Sequence, residues 1–126
     1  MKARHRLRNS RQFLLITRTG VRSARTHVAA HLASIGGDDE TPRVGFVVSK
    51  KVGNSVVRHR VTRRLRALAD AQIPLLPSGS GVVLRALPGI ADTTPAELAQ
   101  EVNGALSRAR EKHAQKQARQ NAAANG

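Results

Sequence analysis

Between Lys50 and Arg66 the chain places Lys50, Lys51, Arg58, Arg60, Arg63, Arg64 and Arg66, with Gly53 and Asn54 between lysines and arginines and no carboxylate in the run. Solvated helix faces usually interleave Glu with Lys or Arg for i,i+4 pairing, and this one has no such partner. Val57, Val61, Leu65 and Leu68 recur at i, i+4, i+8 and i+11, predicting a helix from about Ser55 to Ala71, capped from the Gly53-Asn54-Ser55 turn and stopped near Pro74. His59, Thr62, Arg63 and Arg66 lie opposite that apolar stripe, Arg58 and Arg60 flank it, and Arg64 falls at its edge, where the guanidinium must snorkel outward. Arg58 and Arg60 sit near the helix N-terminus, where the macrodipole disfavours cations. Bound phosphate removes the conflict, because amides, dipole and arginines then act on one anion.

Protein-based hydrolysis finds little support. The acids are Asp38, Asp39, Glu40, Asp70, Asp92, Glu97, Glu101 and Glu111, none inside the basic run, so a carboxylate cluster for two metals is not expected. Asp38, Asp39 and Glu40 read as a solvated loop tip. His27 and His31 fall on one face of an expected strand but lack a third ligand. Gly53-Asn54-Ser55 lacks the Gly-Lys-Ser/Thr ending of a P-loop. The chain has no cysteine, which removes disulfides and zinc fingers, and no Tyr or Trp with only two Phe, which removes a stacked-aromatic RNA surface.

The elements that must position these groups fit one domain of 126 residues with a formal charge of +14, a balance that points to a polyanionic partner. The segments 1–37 and 41–69 each carry eight basic residues and no acid. Asn9 or Ser10 can cap a short helix with Phe13, Leu14 and Ile16 that ends before Gly20; Thr26 to Ser34 and Arg43 to Ser49 read as strands, expected to pair as a hairpin across the acidic tip. Val82 to Leu87 reads as a buried strand, and Thr94-Pro95-Ala96-Glu97 opens a last helix with Leu98, Val102, Ala105, Leu106 and Ala109 inward. From Gln115 onward the composition becomes Gln, Ala, Asn, Arg and Lys, which could extend the helix but has nothing to bury, so residues 1–112 are expected to form a single nucleic-acid-binding domain and 113–126 a polar, disordered tail. No apolar run approaches the roughly 18 to 20 residues of a membrane span, and no membrane partner is expected.

The run from Pro42 to Arg66, with Lys50-Lys51-x-Gly53, Arg58-x-Arg60 and Arg63-Arg64-x-Arg66 in register, closely resembles the signature of the bacterial ribonuclease P protein subunit, supported by His5-Arg6-Leu7, Phe13, Gly20 and Val82 to Ala86. The resemblance spans Met1 to about Arg110. It implies an α/β (α+β) sandwich of order α-β-β-β-α-β-α, with a four-stranded mixed sheet and a left-handed crossover joining the last two parallel strands, against the usual right-handed preference. It also implies a cytoplasmic ribonucleoprotein endonuclease, a hydrolase in which a catalytic RNA using Mg2+ removes the 5′ leader of precursor tRNA. The protein assists by binding both RNAs, broadens substrate use, carries no catalytic residue or metal site, and has no evident obligatory protein partner.

Carried onto this chain, the resemblance assigns RNA contact to Lys50, Lys51, Gly53, Asn54, Arg58, His59, Arg60, Arg63, Arg64 and Arg66, and a leader cleft to Phe13, Thr17 and His31. His59 stands where Asn is common, Thr62 where a basic residue is common, Ser55 where Ala is common, and Thr17 and His31 where rings often occur, so leader stacking is expected to be weak. On charge and size alone a ribosome-associated protein or a DNA-binding regulator fits as well, although neither accounts for the in-register signature.

Overall fold

The structure is a computed structural model that describes residues 1–36 and 40–125. Asn9 starts α1 (Ser10–Thr19) by accepting the Arg11 and Gln12 amides on its side chain. Four strands, β1 (Val21–Ala24), β2 (Val28–Ser34), β3 (Arg43–Val47) and β4 (Ser80–Ala86), form one sheet in the order β1-β2-β4-β3. All neighbours are antiparallel except β3 and β4, which are joined by α2 (Ser55–Gln72). After β4 the chain enters α3 (Pro95–Asn125), where Thr94 Oγ1 accepts the Glu97 amide at 3.1 Å, half of the expected capping box. The mixed α+β order is the one the signature implies.

The strand period of two sorts side chains onto two faces. Val28, Ala30 and Leu32 of β2, Val82, Leu84 and Ala86 of β4 and Val44 of β3 pack with Val61, Leu65 and Ala69 of α2 and Leu98, Val102, Ala105, Leu106 and Ala109 of α3. The opposite face holds a smaller cluster of Leu7, Ile16, Ala33 and Val83, with Phe13, Ile35 and Val47 against it. Here α1 reaches down to backbone level: a Cβ added at Gly45 would lie 2.2 Å from Phe13 Cζ, and one at Gly81 2.5 Å from Ile16 Cδ1. Both rows of the sheet therefore have a bare strip where α1 lies.

Two sequence expectations are corrected. β2 and β3 form no hairpin, because β4 lies between them and pairs with both. β4 is buried on both faces along most of its length, and such a strand is best covered at the sheet centre, while α2 supplies the long connection a parallel pair requires. Of the expected acidic tip, Asp38 and Asp39 lie outside the described residues. The composition that suggested an unstructured tail instead continues α3 to Asn125, with His113 buried; the docking of this segment is polar rather than apolar, so hydrophobic periodicity does not reveal it.

The Gly45–Phe13 approach has a measurable consequence. Gly45→Ala should destabilise the protein by about 1–3 kcal/mol through overpacking, and combined with Phe13→Ala the two losses should fall well short of additive. Urea unfolding of the double-mutant cycle checks this; full additivity would mean that the ring does not rest on Gly45.

Candidate nucleic-acid interface

Lys50 and Lys51 are exposed in the turn between β3 and α2. Gly53 follows, where a side chain would meet Val57 at 2.8 Å, and Asn54 then caps α2 by accepting the Val57 amide at 2.9 Å. The lysines are thereby held at a helix N-terminus that has no acid in its first turn. Amide dipoles and ammonium groups point their positive potential the same way, an arrangement suited to phosphate.

Along α2 the cations divide by side. His59, Arg60 and Arg63 are exposed. Arg64 turns toward α3, where its Nη1 donates to the Thr93 carbonyl at 3.5 Å, which realises the expected snorkelling and turns this arginine away from the cleft. Arg58, Thr62 and Arg66, spaced i, i+4 and i+8, are half-buried, and Thr62 Oγ1 donates to the Arg58 carbonyl at 2.9 Å. Arg66 stands over the Phe46 ring at 5.9 Å from its centroid, within cation–π reach.

Thr62 and Arg66 form one wall of a cleft of about 420 Å³, with Phe13 of α1, Val44, Gly45 and Phe46 of β3, and Arg6 and Arg8 of the N-terminal segment also lining it. That segment is fixed beside β3 by an Arg6–Val44 bridge and by the Leu7 amide donating to Val44 at 3.0 Å. The Nε atoms of Arg6, Arg58 and Arg66 are buried without a partner among the described residues. The cleft thus combines the Phe13 and Phe46 rings with the arginines Arg6, Arg8 and Arg66. Arg6 and Arg8 were not among the expected contacts; the alternation Arg6-Leu7-Arg8, with Leu7 buried between two arginines, is the sequence signal for them.

Thr17 and His31 do not line this cleft, but both belong to the seam between α1 and the sheet that contains Phe13. Thr17 is half-buried on α1, its Oγ1 donating to the Phe13 carbonyl at 2.9 Å. His31 shares the α1 face of β2 with Ala33, is buried, and leaves Nδ1 without a partner among the described residues. Arg22 is its ladder neighbour in β1, and Arg85 of β4 pairs with Ala29 on the same face. Burial, then Arg22 and Arg85, hold His31 below the ordinary histidine value, so the ring is neutral in a basic setting. Sequence reading placed neither arginine here, since β1 has only four residues and no clear alternation.

His27 and His31, expected on one strand face, lie on different layers. His27 precedes β2 and turns to α3, where its backbone amide and Nδ1 engage Glu101 at 2.7 and 2.6 Å. Burial raises the Glu101 carboxyl, but these hydrogen bonds outweigh it and hold the group below its ordinary value. Asp70, Asp92, Glu97 and Glu111 are exposed on separate stretches, and among the described residues no three carboxylate or imidazole groups gather as a metal site would need. No helix among the described residues is long and apolar enough to cross a membrane.

A family model described as Ribonuclease P matches residues 1–110. The chain is 47% identical over 110 residues to a ribonuclease P protein component from Mycobacterium sp. (strain KMS), covering 87% of this chain and 93% of that protein. It is 46% identical over 111 residues to the same component from Streptomyces avermitilis, covering 82% and 90%. Among solved structures, the RNase P protein of Staphylococcus aureus superposes with a TM-score of 0.75 at 23% identity, over 86% of this chain and 96% of that one. The RNase P protein of Thermotoga maritima gives 0.69 at 23% identity, over 82% and 96%.

The buried histidines generate a pH prediction. Burial, followed by Arg22 and Arg85, lowers His31, and burial, followed by Lys116, lowers His113, each from 6.5. A base with a depressed folded value takes its proton more readily when unfolded, so its contribution is complete above 6.5 and is lost as pH falls through the folded value. Unfolding free energy should therefore decline as pH falls below 6.5, and His31→Gln with His113→Gln should flatten that decline. An unchanged slope in the double variant would place the titration elsewhere.

Proposed function

Because this chain belongs to the ribonuclease P protein family, it is a protein subunit of the RNA-based endoribonuclease that matures tRNA 5′ ends, and we propose that it serves that enzyme through two surfaces. The basic turn and helix, carrying Lys50, Lys51, Gly53, Asn54, Arg58, His59, Arg60, Arg63 and Arg66, bind the catalytic RNA. The seam between α1 and the sheet, with Phe13, Thr17 and His31, receives the 5′ leader of precursor tRNA. The observation that supports this most is the acid-free arginine row of α2 continuing directly into a cleft with an aromatic floor. Arg64, turned to Thr93, joins the RNA contact less directly than its neighbours. Residues 1–112 act as the RNA-binding unit, and the holoenzyme works in the cytoplasm.

Chemistry belongs to the RNA. Among the described residues the carboxylate and imidazole groups do not converge, His27 and Glu101 being hydrogen-bonded to each other, and this reading assigns the magnesium ions to the RNA subunit. What this chain supplies is charge and position. Each phosphate it neutralises releases condensed counterions, and leader contacts favour the uncleaved substrate over the product.

Two experiments test this reading. The protein alone should leave precursor tRNA intact, with magnesium-dependent cleavage appearing only when the catalytic RNA is added; replacing Arg60 or Arg63 by Ala should weaken RNA binding and lower the salt slope by about one unit, with unfolding unchanged. Cleavage by the RNA-free protein, or an unaltered slope, would refute it. For the leader, stacking on one ring is worth roughly 1–3 kcal/mol, so Phe13→Ala should reduce the preference for precursor over mature tRNA and His31→Phe should raise it, as read by equilibrium binding with the holoenzyme. If neither moves the ratio, the leader lies elsewhere.

A further inference from the structure

Residues 111–125 continue α3 past the last residue matched by the family model, and they are docked rather than free. Lys112, His113, Lys116 and Gln117 recur at i, i+1, i+4 and i+5, which puts them on one side of the helix. All four engage the body of the protein. Lys112 Nζ donates to the Arg22 carbonyl at 2.7 Å, Lys116 Nζ to the Thr19 carbonyl at 2.6 Å, and Gln117 Nε2 to Ser34 Oγ at 3.3 Å, while His113 is buried.

The atoms they hold matter. Thr19 is the last residue of α1, so its carbonyl is one of those a helix terminus leaves without an intrahelical partner, and it sits at the negative end of the helix dipole, where an ammonium is favoured. Arg22 lies in β1 directly opposite His31. Two lysines one helical turn apart thus bind the two sides of the α1–sheet seam to a single rigid element. Elsewhere α1 is held by Phe13 and Ile16 on their glycines and, at its C-cap, by Gly20 lying close against the Leu32 backbone of β2, a footing along one line about which the helix could tilt. Its outer face leaves Leu14 51% and Leu15 42% exposed, so no described segment braces it from above.

We propose that residues 112–117 are a strap that sets the gap between α1 and the sheet, with Lys112 and Lys116 as positioning residues for the leader. The functional half of this proposal rests on the leader cleft proposed above. With the strap in place, Thr17 and His31 keep a fixed separation; without it, the last turn of α1 opens while the Phe13 and Ile16 footing stays.

The test uses the full chain with Lys112→Ala and Lys116→Ala together, half-buried positions whose change leaves the buried His113 itself in place, and Lys116→Arg as the conservative control. In the isolated protein, amide exchange at residues 16–22 should rise about fivefold or more, as expected for easier local opening, with the β2 and β4 amides unchanged. In the reconstituted holoenzyme the preference for precursor over mature tRNA should fall about threefold or more, the lower end of what one net hydrogen bond contributes, and Lys116→Arg should retain both properties. Unchanged exchange at residues 16–22 overturns the strap. Raised exchange with an unchanged preference overturns its positioning role if Phe13→Ala does shift that preference; if Phe13→Ala is also silent, it is the leader assignment that has failed. A uniform rise in exchange across β2 and β4 would show general destabilisation and likewise overturn the proposal.

Discussion

The close approach of α1 to the sheet is the constraint on which the remaining geometry depends. Phe13 and Ile16 reach the backbone at Gly45 and Gly81, in adjacent strands that run parallel. Any side chain at those positions would lift α1, and raising a helix by even one methyl layer forfeits much of the dispersion contact beneath it. With α1 low, Phe13 forms a floor against which β3, the N-terminal segment and α2 complete a cleft. The smaller cluster on this face has only a few fully buried members, so the seam is a thinner interface than the core beneath α2 and α3. A binding surface placed over such an interface can be tuned by small shifts of one helix.

Charge follows from the same placement. The core side of α2 is satisfied by Val61, Leu65 and Ala69, which leaves its remaining sides to arginines. In an isolated chain this would be a standing electrostatic cost, since like charges repel and the first turn carries no acid. The cost becomes useful at the moment of binding, because cations that lack internal partners have nothing to give up when phosphate arrives. Where an arginine does have a partner, as Arg64 has in Thr93, it has left the row. Away from the cleft, the hydrogen bonds from His27 to Glu101 fix the β1–β2 turn to α3.

Sequence reading recovered what depends on local pattern. The period of Val57, Val61 and Leu65 placed α2 to within a residue, Asn9 and Asn54 were recognisable caps, and the motif from Lys50 to Arg66 identified the family. It failed where the outcome depends on competition between distant segments. Two strands adjacent in sequence were expected to pair, but β4 took the central place because it can be buried on both faces. β1 is too short to show alternation, so Arg22 and with it the basic setting of His31 were not legible. Lys112 and Lys116 look like tail charges in the sequence, and only the fold shows that each meets a backbone carbonyl. His27 and His31 share a parity in sequence yet point to different layers, since β2 begins at Val28.

We propose that α1 and the sheet face the leader while the arginine helix faces the catalytic RNA. The absence of native cysteine allows that claim to be tested by single introduced thiols carrying a photoactivatable crosslinker, at Thr17→Cys on the seam and at Arg63→Cys on the helix, in holoenzyme bound to precursor tRNA. The probe at position 17 should label leader nucleotides and lose its target when mature tRNA is used, while the probe at position 63 should label the catalytic RNA with either substrate. Labelling of the catalytic RNA from position 17, indifferent to the leader, would contradict the account.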